Sequence, residues 1–95
     1  MRPDHGGRIE LKLLADAAES ARYALTIATP DSVLESEVTI DGASGALELG
    51  DWSGGTPPEW LGALSRALLR SVWRTRSSDG VWPRRLTRWR PAPKP

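Results

Sequence analysis

Cysteine is absent from this 95-residue chain, and histidine occurs once. Without cysteine the chain has no disulfide, no thiol nucleophile and no thiolate metal site, which fits a reducing compartment. The single histidine, His5, stands between Asp4 and two glycines. Histidine in a nucleophilic triad needs a rigid scaffold that holds it within hydrogen-bond reach of both partners. We therefore predict a protein that is not an enzyme.

Long apolar runs are also lacking. The longest uninterrupted ones span only a few residues. A transmembrane helix needs about 20 apolar residues, and the core of a secretory signal needs about 7–15. We expect a cytoplasmic protein that binds neither a membrane nor a small-molecule substrate.

The overall composition is that of a globular domain. Hydrophobic residues make up 39% of the chain and charged residues 26%, both close to ordinary values. The length suits one domain. We place this domain at residues 8–90, between a flexible N-terminal tail at 1–7 and a flexible proline-rich tail at 91–95.

Charge is distributed unevenly along the chain. Residues 1–53 carry four basic and ten acidic side chains, and residues 54–95 carry nine basic and two acidic ones. The halves therefore have net charges of −6 and +7, which the overall charge of +1 conceals. All five tryptophans lie within residues 52–89. This asymmetry directs the search for binding residues to the second half.

Four short segments alternate apolar and polar residues in the manner of half-buried strands, at 8–14, 21–28, 33–40 and 46–49. Turn residues fill two of the connections, Pro-Asp-Ser at 30–32 and Asp-Gly at 41–42. Tight connections favour neighbouring antiparallel strands, so we predict a four-stranded antiparallel β-meander. One face would be apolar, and the other would carry acidic side chains such as Glu35 and Glu37.

The stretch after these strands has helical spacing. Thr56, Pro57 and Glu59 are typical of a helix start with a capping box. One apolar stripe then recurs every three or four residues, at Leu61, Leu64, Leu68 and Val72. We predict one amphipathic α-helix at about 57–75 that covers one face of the sheet. The predicted fold class is α+β, with a Trp/Arg-rich C-terminal segment.

Neither the acidic pairs nor the glycine-rich stretches form a motif for catalysis or ligand binding. Glu35 and Glu37 would lie about 7 Å apart on one strand, without the cleft that separates the pKa values of a catalytic pair. The stretch at 50–60, GDWSGGTPPEW, lacks the lysine of a phosphate-binding loop. We predict no catalytic, cofactor-binding or metal-binding residues.

Arginine and tryptophan stand out on the predicted helix. Arg66, Arg70 and Arg74 recur at four-residue intervals, nearly opposite the apolar stripe, and Trp73 borders this row. An exposed face with mixed charges would serve solubility equally well. Arginine differs from lysine in favouring planar, bidentate partners such as carboxylate and phosphate.

The C-terminal segment at 81–90, VWPRRLTRWR, contains two tryptophans and four arginines. It fits a short helix, with Trp82, Leu86 and Trp89 on one face, or an edge strand, to which Pro83 would confine it. Its role also stays open. In one interpretation, the tryptophans pack within the chain and the arginines pair with the acidic sheet. In the other, both residue types contact a partner, as they do at interface hot spots.

Our hypothesis is a small non-catalytic adaptor module that binds an acidic protein surface or a second copy of itself. The candidate binding residues are Arg66, Arg70, Trp73, Arg74, Trp82, Arg84, Arg85, Arg88, Trp89 and Arg90. The alternative hypothesis is nucleic-acid binding by the same arginines and tryptophans, since such residues together stack on and neutralise single strands. An acidic sheet face without aromatic residues argues against base stacking on the sheet itself.

Overall fold

A computed structural model describes residues 2–17 and 19–93. Within these residues the elements in chain order are β1 (Gly7–Ala17), β2 (Ser20–Ala28), β3 (Val33–Asp41), β4 (Leu47–Leu49), α1 (Glu59–Asp79) and β5 (Arg85–Arg90). The α+β fold class is confirmed, because α1 packs on an antiparallel sheet. Met1 and residues 94–95 of the predicted tails lie outside the described residues.

The sheet has five strands in the described part of the chain, so the predicted number of four is wrong. The strand order is β4-β3-β2-β1-β5, and all neighbours are antiparallel. The meander accounts for β1 to β4, and the C-terminal segment adds β5 along β1. Pro83 precedes β5 and interrupts no ladder hydrogen bond. The local sequence pattern did not distinguish a strand from a short helix here, because β5 pairs with β1 at the other end of the chain.

Alternation along the strands separates a buried face from an open face. The buried side chains of β1, β2 and β3 in the core are Ile9, Leu11, Ala21, Tyr23, Leu25, Ile27, Leu34, Val38 and Ile40. Glu35, Glu37 and Glu48 lie on the open face and are exposed. A shift of register in β1 between Leu13 and Ala15 interrupts the alternation.

The helix begins at Glu59 rather than 57, and the predicted capping box is absent. Pro58 occupies the N-cap position with φ −54° and ψ 145°, and no side chain caps the first turn. A proline forces the residue before it out of helical conformations. Pro57 therefore cannot start the helix, and Thr56 is too far from the first turn to cap it.

The helix ends at a glycine, later than the predicted position 75. Gly80 adopts the left-handed conformation with φ 76°, and its N–H donates to the carbonyl of Arg76 at 2.7 Å. The polar residues at 75–79 contain neither proline nor glycine, so the helix continues through them until Asp79. Loss of the apolar pattern was therefore a poor guide to the end of the helix.

The apolar side of α1 covers the sheet. Its buried hydrophobic residues are Leu61, Leu68, Leu69 and Val72. Leu64, which the sequence assigned to the same stripe, is only half-buried. The first turn approaches the sheet closely at Gly7, where an added Cβ would lie 2.5 Å from Leu61 Cδ2. A glycine at the start of β1 is therefore required for the helix to reach this distance.

Candidate interaction surface

The outer edge of β5 pairs with no strand in the described residues, and the register decides which of its backbone groups point outward. The N–H of Leu13 donates to the carbonyl of Arg84 at 2.9 Å. Hydrogen-bonded and non-bonded pairs alternate in an antiparallel ladder. The β5 residues bonded to β1 are therefore Leu86, Arg88 and Arg90. The β5 residues whose N–H and C=O groups point outward are Arg85, Thr87 and Trp89.

Two arginines of β5 fold over this edge. Nη1 of Arg88 donates to the carbonyl oxygen of Thr87 at 2.9 Å, and Nη1 of Arg90 donates to the carbonyl oxygen of Trp89 at 2.8 Å. Both carbonyls belong to the outward set. Because all four residues are exposed, water competes with these hydrogen bonds, and each contributes about 1 kcal/mol or less. The arginines therefore cover the edge without closing it.

The two sides of β5 differ in chemistry. Leu86 pairs with the buried Leu11 and marks the helix side, to which Arg88 and Arg90 also belong. Thr87 and its alternate neighbours point to the open face of the sheet. The open side of β5 thus consists of Arg85, Thr87 and Trp89, which stand beside Lys12, Glu10 and Arg8 of β1. The expectation of an open face without aromatic residues was wrong, because β5 brings Trp89 to it.

Trp89 is the more exposed tryptophan of the segment. Its side chain is 41% exposed, and its Nε1 donates to the carbonyl of His5 at 3.0 Å. The Trp89 ring and the imidazole ring of His5 meet edge to face, with centroids 5.2 Å apart. His5 therefore has a packing role against Trp89, which its sequence neighbourhood did not indicate.

Trp82 lies in the core. It is 5% exposed, its ring stands edge-on to Tyr23 with centroids 6.5 Å apart, and Cζ of Arg76 lies 5.3 Å from its centroid. The hydroxyl of Tyr23 donates to the carbonyl of Pro83 at 2.6 Å. Burial, with a smaller contribution from the charge of Asp16, raises the pKa of Tyr23 to about 12. Trp82 anchors the segment and presents little surface to a partner.

The helix arginines form a separate surface. Arg66, Arg70 and Arg74 are exposed on α1. Trp73 turns towards the connection between β3 and β4, where its Nε1 donates to the carbonyl of Gly42 at 2.8 Å. Because β4 and β5 are opposite edges of the sheet, the ten candidate residues do not make one continuous patch. The residues that lie together are Arg84, Arg85, Arg88, Trp89 and Arg90.

The arginines at 84–90 form no ion pair with a carboxylate in the described part of the chain, so the expected pairing with the acidic sheet is not seen. In residues 2–17 and 19–93, an ion pair with an acid of β3 is made by Arg22, whose Nε lies 3.6 Å from Oε1 of Glu37. β5 joins the sheet next to β1, three strands from β3. Three spacings of about 4.8 Å separate the two by about 14 Å, and Arg88 and Arg90 point to the helix side while Glu35 and Glu37 lie on the open face.

An apolar groove continues the helix side of β5. Its lining residues are Trp60, Ala63, Leu64, Arg90, Pro91 and Pro93, and its volume is about 470 Å³. Trp60 and Leu64 are half-buried there, between α1 and the end of β5. The groove adds apolar surface beside Arg90.

Sequence reasoning assigned binding to side chains and missed the backbone. The residue types alone do not show that the N–H and C=O groups of Thr87 and Trp89 point outward. Pro83 was the available signal, because a proline restricts a neighbouring strand to the edge of a sheet, and edge strands present unpaired backbone groups.

In residues 2–17 and 19–93, no three His, Cys, Asp or Glu side chains are grouped closely enough to hold a metal ion. α1 does not combine the length and apolarity that a membrane-spanning helix needs, and no other helix is described. No known protein family, curated protein or solved structure matches this chain.

Proposed function

We propose that this protein is a small non-catalytic interaction module that binds an acidic, extended segment of a partner protein along β5. The segment would add to the sheet as a further strand, a common mode of peptide recognition. The observation that carries the proposal is the six-residue edge of β5, with outward backbone groups at Arg85, Thr87 and Trp89. Main-chain hydrogen bonds would supply affinity, and the flanking side chains would supply selectivity.

The charge around β5 supports an acidic occupant. Arg84, Arg85, Arg88 and Arg90 are exposed and lack carboxylate partners in the described residues. Arginine pairs bidentately with carboxylates, and such charge-assisted hydrogen bonds are stronger than neutral ones. An acidic strand would therefore gain contacts here that a neutral strand would not.

The same charges oppose a second copy pairing β5 against β5. Such a pair would bring two rows of arginines side by side, and like charges on facing strands are destabilising. Pairing of β5 with β4 of another copy would match opposite charges, but β4 has only three residues. A heterologous contact of that kind would build open chains or rings, which sedimentation of the free protein would detect.

The arginines of α1 take no part in the proposed binding. Arg66, Arg70 and Arg74 are exposed on α1 and do not belong to the sheet, so a strand added along β5 would pair with none of them. They offer a matched control, because they carry the same charge on a surface that the proposal leaves unused.

The test is titration of a fluorescent acidic peptide with the whole protein, followed by anisotropy. Arg88→Glu should weaken binding by about tenfold or more, which is the loss of one charge-assisted hydrogen bond. Arg70→Glu makes the same change in net charge and should alter the affinity by less than about twofold, since exposed charges beyond a Debye length are screened. Equal losses in the two variants would contradict docking at β5.

Nucleic acid is the second candidate, and one observation favours it. Trp89 lies on the open face in the same row as Arg8, with Arg85 further along β5, so an aromatic ring and basic groups share a surface. Glu10 lies between the basic residues of β1 and weakens this surface. A gel-shift titration with single- and double-stranded oligonucleotides at two salt concentrations tests the idea, and no binding at the lower salt would exclude it.

A further inference from the structure

The arrangement of Arg88 and Arg90 suggests how β5 would select its partner, an inference that rests on the proposed function. In the free protein their guanidinium groups hold the carbonyls of Thr87 and Trp89. These are the carbonyls that an added strand would need as acceptors. The N–H groups of an incoming strand would therefore compete with both guanidinium groups for these carbonyls.

We propose that Arg88 and Arg90 gate the β5 edge, releasing it only to a strand that carries carboxylates at two alternate positions on the helix side. The two arginines are neighbours on that side, about 7 Å apart as residues two apart on a strand. Carboxylates at positions i and i+2 of the incoming strand would accept hydrogen bonds from them. The guanidinium groups would then leave the two carbonyls that the strand needs, so binding of the acids and opening of the edge are one event.

Strand geometry links this acidic pattern to a hydrogen-bond pattern. Residues directly opposite each other on neighbouring strands point to the same side of the sheet. The acids would stand opposite Arg88 and Arg90, whose own backbone groups bond to β1. In an antiparallel pair the single residue between the two acids would stand opposite Trp89, and its alternate neighbours would stand opposite Thr87 and Arg85. Only the N–H and C=O groups of these residues would bond to β5. These intervening residues would face the open side near Trp89, which favours apolar side chains.

Three peptides of roughly nine residues, the length of an ordinary strand, separate the features of this proposal. The first alternates Val and Glu, the second replaces each Glu with Gln, and the third has the composition of the first with the Glu residues in one block. The protein as it stands should bind the alternating acidic peptide about tenfold more tightly than either of the others, because only that peptide supplies both carboxylates on one side.

Two forms of the alternating peptide test the linked hydrogen-bond pattern. N-methylation of the Val residues removes the donors that would bond to β5 and should abolish binding. N-methylation of the Glu residues blocks groups that point away from β5 and should leave the affinity within about threefold, a change smaller than the loss of one hydrogen bond. The reverse result, or equal losses, would overturn the predicted alternation.

The double variant Arg88→Thr, Arg90→Thr tests gating directly. Threonine suits an edge strand, and the two carbonyls are uncovered in this variant. The acidic peptide should bind at least about tenfold more weakly, and the Gln peptide should bind a few-fold more tightly than it binds the unmodified protein. The control variant Arg70→Thr, Arg74→Thr makes the same change of charge on α1 and should leave both affinities unchanged.

The outcomes for the two proposals are distinct. If the unmodified protein binds no acidic peptide, the proposed function itself is overturned. If it binds the alternating and block peptides equally, or if the double variant does not improve binding of the Gln peptide, the gate is overturned while the interaction module stands. Circular dichroism of both double variants confirms that the sheet is retained.

Discussion

Replacement of Trp82 by alanine offers the sharpest test of how the C-terminal segment is held. Trp82 is 5% exposed and packs between Tyr23 and Arg76. Truncation of a buried tryptophan to alanine costs about 3–5 kcal/mol. A domain of 95 residues has a total free energy of unfolding of about 5–14 kcal/mol. The variant should therefore lose a large share of its stability, and its Tm should fall by about 12 °C or more.

Trp89 provides the comparison within the same segment. Its side chain is 41% exposed, with one hydrogen bond to the His5 carbonyl and one edge contact to the His5 ring. Loss of these contacts should cost roughly 1–2 kcal/mol. Trp89→Ala should therefore remain folded and should weaken peptide binding instead. The two alanine variants separate a structural tryptophan from one that is available to a partner.

The assay is urea unfolding of both variants, followed by far-UV circular dichroism, with thermal melts in parallel. Trp82→Phe serves as a control, because it keeps an aromatic ring beside Tyr23 and should lose less stability than Trp82→Ala. If Trp82→Ala is no less stable than Trp89→Ala, the placement of Trp82 in the core is refuted. Unchanged m-values would show that the loss lies in stability and not in the extent of unfolding.

Two further predictions concern other positions. The pKa of Tyr23 is raised from 10.0 to about 12 because the folded state favours the neutral phenol over the charged phenolate. About 2–3 kcal/mol of the free energy of unfolding should therefore be present below pH 10 and lost as the pH rises from 10 to 12. Alkaline unfolding of Tyr23→Phe should lack this loss, and an identical pH profile would contradict it. Gly45 and Gly80 both have φ +76°, but an added Cβ lies 2.8 Å from the Trp73 ring at Gly45 and meets nothing within 4 Å at Gly80. Both alanine variants should lose about 1–2 kcal/mol from backbone strain, and urea unfolding should show a larger loss for Gly45→Ala; equal losses would contradict the contact with Trp73.

Much of the fold follows from local patterns. The alternation in β1 to β4 was predictable because side chains of a strand point to opposite sides at every step. The start of α1 was also encoded, since the Pro57–Pro58 pair excludes a helix before Glu59. We instead predicted a start at about residue 57, on the basis of a capping box that does not form. The end of α1 depended on Gly80 rather than on the last apolar residue.

The candidate site was predictable only in composition. Four arginines and two tryptophans at 81–90 were evident as a cluster, but their chemical roles depend on the side of β5 to which each one points. That side is decided by the register with β1, a contact between opposite ends of the chain. The arginines of α1, Arg66, Arg70 and Arg74, are of the same residue type, yet they lie on another surface.

The sequence by itself determined the fold class, the four strands of the meander, one helix and the division of charge between the two halves. These features depend on residues close together in the chain, where periodicity and charge can be read directly. Only the tertiary structure decided that β5 lies beside β1, that Trp82 is buried while Trp89 is exposed, and that Arg88 and Arg90 cover the outward carbonyls. The physical reason is that these outcomes depend mainly on contacts with β1 and β2, whose residues are distant from the segment in the chain. Such contacts leave no periodic pattern in the sequence of the segment itself.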